Sequence, residues 1–241
     1  MQPSRQLRVL HVASEMAPWH KVGGLADVVG ALVKASAKEG HDVRAVVPSY
    51  GDYAAREGWP AGDAPLRVNL REPFDTTYRV APKALTGGAT VVMLEHAAAF
   101  ARPDVYWPDV DNLWRFLMLS RAALDYCHQH QWWPDLIHCH DWMTGLLPVM
   151  LKTAEANSPL NGTPTVFTIH NLVHQGDGDW EMLAYAGVDP HGLDPASLTH
   201  RGKLNLMKAG LEHADRLTTV SPTYAREIQT ADYGEGQIGR A

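Results

Sequence analysis

The fold of this chain is decided by residues 7–47, which read LRVLHVASEMAPWHKVGGLADVVGALVKASAKEGHDVRAVV. Residues 7–13 are rich in branched apolar side chains and predict a buried β-strand. A loop with the pair Gly23-Gly24 follows, and residues 25–38 then carry apolar side chains at helical spacing. Residues 43–47 predict a second strand. A strand, a glycine loop, a helix and a strand in this order predict the βαβ crossover of a parallel sheet.

The same alternation continues through the rest of the chain. In residues 51–99, short apolar runs alternate with Pro and Gly turns and predict strands and hairpins at the edge of the main sheet. Beyond them the sequence predicts helices over residues 111–130, 143–152, 203–213 and 222–228, and strands over residues 136–139, 165–169 and 217–220. This order is typical of an α/β fold with a Rossmann-like, doubly wound, mostly parallel sheet. Because no repeat or linker interrupts it, we expect one domain.

The composition indicates a globular protein, since 45% of the 241 residues are hydrophobic and 20% are charged. The formal net charge of −6 argues against a nucleic-acid-binding protein, which usually carries a basic excess. The apolar runs are too short to cross a membrane, and the first residues lack the pattern of a secretory signal. Cys127 and Cys139 lie in apolar segments and predict no disulfide framework. We therefore expect a cytoplasmic protein that binds neither nucleic acid nor membrane.

Residues 21–27 (KVGGLAD) form the first candidate site. Gly23 and Gly24 allow a ligand to approach the backbone closely, and the start of the next helix offers unpaired N–H groups to an anion. Lys21 adds a positive charge for a phosphate. The spacing differs from the dinucleotide-binding and P-loop patterns, which disfavours both. A tight turn with a solvated lysine explains the same residues, so this pattern alone leaves both interpretations open.

Residues 138–142 (HCHDW) form the second candidate site. His138 and His140 share one face of the predicted strand, whereas Cys139 points to the other face. A zinc site is therefore incomplete, and because no distant ligand pair completes it, we expect no metal. Asp141 follows the strand directly. It either caps the next helix or accepts hydrogen bonds from sugar hydroxyls.

Two further strand ends carry polar residues. The strand over residues 165–169 ends in His170-Asn171, which either contact a ligand or satisfy the backbone of a turn. Ser221 follows the last predicted strand and precedes Pro222. It lacks the G-x-S-x-G pattern of a nucleophile elbow, so a helix cap is the simpler explanation.

Taken in order, these segments match a set of known motifs. Residues 21–28 resemble K-[TV]-G-G-L-x-D-V, residues 135–142 resemble D-[VI]-[VI]-H-x-H-D-W, and residues 167–176 resemble F-T-[IV]-H-N-x-x-[YH]-Q-G. Residues 203–211 and 219–228 also fit. Five motifs in register, over about residues 7–236, show that the chain resembles the family of bacterial glycogen synthases and plant starch synthases.

The resemblance implies a GT-B glycosyltransferase, in which two Rossmann-like halves face each other across a cleft. Such enzymes transfer glucose from ADP-glucose to the non-reducing 4-hydroxyl of an α-1,4-glucan, with retention of configuration and without a metal or other cofactor. Residues 1–241 would form the N-terminal, acceptor-side domain, and the C-terminal nucleotide-binding domain would be absent from this chain. The expected partners are ADP-glucose, glycogen or a maltooligosaccharide, and a separate C-terminal domain. The isolated chain is expected to have little or no activity.

For the donor, the resemblance implies that Lys21 and the backbone of Gly23 and Gly24 contact the phosphates. These groups would neutralise the charge that develops as ADP leaves. The second half of the family's chain would supply the adenine and ribose pocket, an Arg-Lys pair on the phosphates and a glutamate near the sugar.

For the sugars, the resemblance implies that His170 lies beside the reacting glucose, with its backbone carbonyl near the anomeric carbon. Asp141 would bind glucose or acceptor hydroxyls, and Asn171 would help to position them. Two positions depart from the family pattern, because Asp109 stands where a Tyr is frequent and Met143 where a His is frequent. An acceptor-side or sugar contact is therefore expected to differ.

Two alternatives stay open. A non-catalytic glucan-binding or regulatory module derived from the same family would keep the glucan surface. Glycogen co-sedimentation that does not depend on ADP-glucose would favour it. A metal-dependent hydrolase would use His138, His140 and Asp141, and it would contain bound metal.

Overall fold

The structure of this chain is a computed structural model that describes residues 5–68, 77–106 and 111–237. Its strands are β1 (Arg8–Val12), β2 (Asp42–Pro48), β3 (Leu66–Arg67), β4 (Thr77–Ala84), β5 (Thr90–Glu95), β6 (Leu136–His140), β7 (Thr165–Ile169), β8 (Asp177–Gly178), β9 (Thr199–His200), β10 (Lys203–Asn205) and β11 (Arg216–Thr219). Its α-helices are α1 (Gly24–Lys38), α2 (Tyr53–Arg56), α3 (Ala97–Phe100), α4 (Asp111–Gln129), α5 (Leu147–Lys152), α6 (Met182–Tyr185), α7 (Leu206–His213) and α8 (Pro222–Glu227). Short 3₁₀ turns span Tyr50–Asp52, Trp142–Thr144 and Pro195–Ser197.

The main sheet has the strand order β11-β7-β6-β1-β2-β5-β4-β3. The six strands from β11 to β5 are parallel, whereas β4 pairs antiparallel with β5 and β3 antiparallel with β4. The chain runs outward from β1 through β2 and then returns to place β6 on the other side of β1. This reversal makes the boundary between β1 and β6 the topological switch point, where open α/β sheets bind their ligands.

The central strand β1 is buried on both faces. Val9, Leu10 and Val12 are each at most 5% exposed, which fits a parallel strand covered by helices on both sides. Helix α1 packs near β2, and α4 packs near both β1 and β2. The buried polar residue of this strand is His11, which is 2% exposed. The strand thus places an imidazole in the middle of an apolar layer.

The predicted fold class is confirmed, and most predicted elements lie within two residues of the observed ones. The strands and hairpins predicted for residues 51–99 are β3, β4 and β5, of which β5 pairs parallel with β2 and so continues the parallel sheet. Residues 69 and 70 of the first predicted run lie outside the described residues. The predicted helix cap is also confirmed, because Ser221 Oγ accepts a hydrogen bond from the Tyr224 amide.

Two predicted helices needed correction. The helix predicted over residues 203–213 begins only at Leu206, because Lys203–Asn205 form β10 between β8 and β9. Asn205 caps α7 by accepting from the Lys208 amide. The helix predicted over residues 143–152 divides near Gly145, where an added Cβ would lie 1.9 Å from the Leu206 carbonyl oxygen. Only a glycine allows the two backbones to approach so closely.

Two expectations from composition concern cysteines and membranes. Cys127 and Cys139 are both free and both buried. None of the helices within the described ranges combines the length and apolar character that crossing a bilayer requires.

Candidate active site

A cavity of about 720 Å³ opens at the carboxyl ends of four neighbouring parallel strands. Glu15 follows β1, Asp141 follows β6, His170 follows β7 and Val220 follows β11, and all four line the cavity. Its volume lies within the range of about 300–1,000 Å³ that is usual for small-molecule sites. The cavity therefore occupies the switch point of the sheet.

The glycine loop forms one wall of this cavity. Gly23 has extended backbone angles, and a Cβ added to Gly23 or Gly24 would meet no atom within 4 Å. The fold therefore does not need a glycine at either position. The Glu15 carboxylate anchors the loop by accepting from the Val22 amide. Burial raises the pKa of Glu15, although hydrogen bonds from the Val22 and Gly23 amides oppose this.

Lys21 is the one predicted site residue that does not line the cavity. Its Nζ lies 2.7 Å from Asp27 Oδ2, in the first turn of α1, and both side chains are about half exposed. Exposed ion pairs of this kind contribute at most about 1 kcal/mol, so a bound anion can compete with Asp27 for the lysine. The role of Lys21 on a phosphate stays a prediction.

Asp141 has strained backbone angles, with φ of 64° and ψ of −178°. Glycine is almost alone in adopting this region, and another residue pays about 1–3 kcal/mol for it. Its Oδ1 accepts from the Trp142 amide at 2.7 Å, and its Oδ2 accepts from the amides of His170 at 2.9 Å and Asn171 at 2.8 Å. The carboxylate thus ties the end of β6 to the end of β7.

The hydrogen bonds of Asp141 limit what it can offer a ligand. Both lone pairs of Oδ2 are engaged, so one lone pair of Oδ1 remains for a sugar hydroxyl. Burial raises the pKa of Asp141 to about 6, although the three backbone amides oppose this. Its predicted capping role is confirmed by the bond to Trp142, whereas its contact with a sugar stays a prediction.

Four histidines cluster beneath the cavity. His11 Nδ1 lies 3.2 Å from His140 Nε2, and His140 Nδ1 lies 3.1 Å from His170 Nε2. His138 stacks on His140 and pairs through Nε2 with Thr168 Oγ1 at 2.6 Å. Burial lowers the pKa of His11 to about 3, the pKa values of His138 and His170 to about 4, and that of His140 well below its usual range. All four rings are therefore neutral near neutral pH.

The trio expected for a metal-dependent hydrolase is not assembled among the described residues. The metal-capable group that includes His138 and His140 is completed by His11, with ligand nitrogens within 4.8 Å of one another, and Asp141 is not part of it. His11 was not among the residues predicted from the sequence, although a polar residue inside an apolar central strand was a usable signal.

Other residues that line the cavity were not predicted from the sequence, or their expected difference from the family stays untested. Tyr106 lines the cavity, and its hydroxyl pairs with Ser14 Oγ at 3.0 Å. It lies in a segment without periodic pattern, so no sequence signal pointed to it. Of the two departures from the family pattern, Met143 lines the cavity and is 2% exposed, whereas Asp109 lies outside the described residues.

A doubly wound parallel sheet, with a cavity at its switch point into which several polar residues converge, defines a Rossmann-like ligand-binding domain. Comparison with known proteins gives the family. Residues 8–239 match the model of the starch synthase catalytic domain, so the chain belongs to this family of glycosyltransferases. The resemblance seen in the motifs is thereby confirmed.

Individual relatives agree with this assignment. The chain is 38% identical to glycogen synthase of Geotalea daltonii and 40% identical to that of Granulibacter bethesdensis, and the matches cover 97% of this chain. It is similar to the solved catalytic domain of starch synthase IV from Arabidopsis thaliana bound to ADP and acarbose, with a TM-score of 0.85 and 32% identity over 96% of this chain and 48% of that one. The chain spans about half the length of the curated relatives it matches, with 49% and 48% covered. The fold is that of one GT-B half.

Proposed function

We propose that this chain forms the acceptor-side half of a retaining glucosyltransferase, which transfers glucose from ADP-glucose to the non-reducing 4-hydroxyl of an α-1,4-glucan. The observation that carries this proposal is the cavity at the switch point of a starch synthase family domain. Its lining brings together Gly23, Gly24, Asp141, His170 and Asn171. The bound ADP and acarbose of the similar starch synthase IV support the choice of substrates.

On the donor side, the proposed phosphate site is the amino-terminal end of α1. The helix spans 15 residues, and its first N–H groups carry partial positive charge toward the glycine loop. Open space beside Gly23 and Gly24 lets a phosphate approach the backbone closely. Lys21, released from Asp27, adds a full positive charge. These groups stabilise the negative charge that grows on ADP as the glycosidic bond breaks.

On the sugar side, Asp141 acts mainly by holding the backbone of His170 and Asn171 in place. The His170 carbonyl is thereby fixed beside the expected position of the anomeric carbon, and Asn171 is fixed beside the sugar hydroxyls. The remaining lone pair of Asp141 Oδ1 accepts from one hydroxyl. A second domain supplies the opposite wall of the site. Because positive groups on α1 face the phosphates, we propose that no metal is required, and we keep the cytoplasm as the proposed location.

Transfer of labelled glucose from ADP-glucose to glycogen tests this function. We expect background turnover from this chain alone, and measurable turnover after fusion to the C-terminal half of the Granulibacter bethesdensis enzyme, because the donor site then has both walls. EDTA should leave the rate unchanged. A folded fusion without turnover, together with glycogen co-sedimentation that is independent of ADP-glucose, would instead indicate a glucan-binding module. Full turnover by the chain alone would contradict the need for a second domain.

Substituting Gly24→Ala should separate a structural from a functional role of the glycine loop. The methyl group meets no atom within 4 Å, and alanine favours helix, so the free energy of unfolding should stay unchanged or rise by up to about 1 kcal/mol. Glucose transfer by the fusion should fall at least about tenfold, equivalent to about 1.4 kcal/mol, because the methyl group occupies space that the phosphates need.

The matched control is Gly145→Ala, which introduces a Cβ 1.9 Å from the Leu206 carbonyl oxygen. This substitution should lower the free energy of unfolding by about 1–3 kcal/mol or more, because backbone must shift to accommodate it. Urea denaturation measures the free energy of unfolding of both variants. Unchanged transfer by Gly24→Ala would show that the phosphates do not approach this part of the loop.

A further inference from the structure

Three amide side chains are buried together beside the loop that follows β7. Gln175, Asn205 and Gln237, which we call the amide cluster, are each at most 9% exposed. Asn205 Nδ2 and Gln237 Nε2 both donate to Gln175 Oε1, each at 2.9 Å. The cluster thus joins the loop after β7, the residue that caps α7 and the last described segment, across sequence separations of up to 62 residues.

Gln175 holds the site loop, residues 170–176, in which Asn171 and His174 line the cavity. Gln175 Nε2 donates to the Leu172 carbonyl at 2.5 Å, and the Gln175 backbone carbonyl accepts from the Met207 amide at 3.0 Å. Both lone pairs of Gln175 Oε1 are used within the amide cluster. Because the side chain is bonded at both its nitrogen and its oxygen, its orientation is fixed, and it fixes the path of the site loop.

The hydrogen bonds of the amide cluster leave one atom out. Asn205 Nδ2 also donates to Asp177 Oδ1 at 2.8 Å, and Gln237 Nε2 makes a second, longer bond to Asn205 Oδ1 at 3.5 Å. Gln237 Oε1, however, is buried without a partner in the part of the chain that the structure describes. An unsatisfied buried acceptor costs at least as much free energy as one neutral hydrogen bond contributes. A leucine of similar size would therefore make the fold no less stable than Gln237 does.

Gln237 belongs to segment 234–237, which lies against the turn between β9 and β10. The Glu235 carbonyl accepts from His200 Nε2 at 2.8 Å, and the Glu235 carboxylate pairs with Arg201 at 3.4 Å. Arg201 is largely exposed, so this ion pair contributes little. Of the side chains in this segment, Gln237 is the one that donates to the site loop among the described contacts.

We propose that Gln237 is a positioning residue: its hydrogen bond to Gln175 holds segment 234–237 against the site loop and thereby keeps Asn171 and His174 at the cavity wall. A buried polar group that does not stabilise the fold needs another explanation. Hydrogen bonds depend on angle as well as distance and so fix one loop geometry, whereas apolar packing tolerates exchange of side chains. The effect on glucose transfer rests on the proposed function, whereas the contact itself does not.

Amide hydrogen exchange of this chain and its Gln237→Leu variant, measured by NMR without substrate, tests the proposal. The Leu172 amide donates to Tyr224 Oη and the His174 amide to the Asn171 carbonyl, so both amides report on the site loop. Both should exchange about fivefold faster in the variant, which is the effect of losing one hydrogen bond.

Urea denaturation of the same variant separates positioning from stability. The substitution removes the unsatisfied Gln237 Oε1 together with the donor Nε2, so the midpoint of unfolding should stay unchanged or rise. Unchanged exchange in the site loop would overturn the proposal and show that Gln237 only fills space. A variant that fails to fold, or that exchanges faster throughout the chain, would also overturn it, because Gln237 would then be a general stabilising residue.

Gln229→Leu is the matched control, because it makes the same change at an exposed glutamine that donates to the Ala225 carbonyl one helical turn away. Exchange in the site loop should not change in this variant. In the fusion, Gln237→Leu should lower kcat/KM at least about fivefold, and Gln229→Leu should leave it unchanged. Faster loop exchange with undiminished transfer would overturn the role of Gln237 in the reaction. Faster loop exchange in a chain whose unsubstituted fusion transfers no glucose would refute the proposed function alone.

Discussion

The free energy of unfolding should fall by about 4 kcal/mol for each unit of acidification between about pH 6 and about pH 5. The unfolded chain protonates its histidines near a pKa of about 6.5. In the folded chain, burial lowers the pKa of His11 to about 3 and those of His138 and His170 to about 4, and that of His140 lies well below its usual range. The unfolded state therefore binds about four more protons there, which removes stability as the pH falls.

Asp141 changes the free energy of unfolding in the opposite direction as the pH falls. Burial raises its pKa from 3.8 to about 6, so the folded chain binds one proton more than the unfolded chain between these values. The four protons of the histidines less the one of Asp141 leave a difference of three protons between the unfolded and the folded chain. Each of these protons changes the free energy of unfolding by about 1.4 kcal/mol per pH unit. His20, whose pKa burial lowers to about 4, adds a contribution of the same sign as the four histidines, and Glu15, whose pKa burial raises, adds one of the same sign as Asp141, so that these two contributions offset each other.

Urea denaturation at a series of pH values measures this slope. Substituting His11→Phe should reduce the slope by about one proton, or about 1.4 kcal/mol per pH unit. Asp141→Asn is the control of opposite sign and should make the slope steeper by a similar amount. In the unsubstituted chain, a slope of less than about 1.4 kcal/mol per pH unit, which corresponds to one proton, would contradict the burial of four neutral rings.

Substitutions of Asp141 should order the stability of the fold as Asp, Asn, Gly and Ala, from most to least stable. Asp141→Ala removes the acceptor of three backbone amides and keeps a side chain at φ of 64°. At about 1 kcal/mol or more for each orphaned amide, we expect a loss of at least about 3 kcal/mol. Asp141→Gly loses the same bonds but relieves about 1–3 kcal/mol of backbone strain. Asp141→Asn retains one acceptor oxygen.

Asp52 provides the matched control for this series. It also has a positive φ, of 54°, but it is exposed and its side chain makes no capping hydrogen bond. Asp52→Ala should therefore cost only the better tolerance of aspartate for the left-handed region, at most about 1 kcal/mol. Equal losses at the two positions, measured by urea denaturation, would contradict the structural role of the Asp141 carboxylate.

The Asp141 series also bears on function. Strained backbone persists where the surroundings hold it, and it is concentrated at sites of binding and catalysis. Here the carboxylate fixes the amides of His170 and Asn171 at the cavity wall. In the fusion, Asp141→Gly should therefore lose transfer activity even under conditions where it is fully folded.

The sequence by itself determined the class of fold and the position of the candidate site. Residues 7–47 were enough for the first βαβ unit, because strand and helix periodicity are local properties of the chain. The alternation of strands and helices implied a parallel sheet, and the carboxyl ends of its strands then had to meet at one edge. Gly23, Asp141 and His170 lie together for this reason.

Only the tertiary structure decided how the side chains at that edge are used. The register of β1 on β6 places His11 opposite His138 and so assembles a histidine cluster that no local pattern contains. The Asp141 oxygens meet amides of the neighbouring strand end, and Lys21 pairs with Asp27 outside the cavity lining. These contacts depend on distances between segments that are far apart in the chain, or on the path of a loop. Packing and strand register set such distances, whereas periodicity does not.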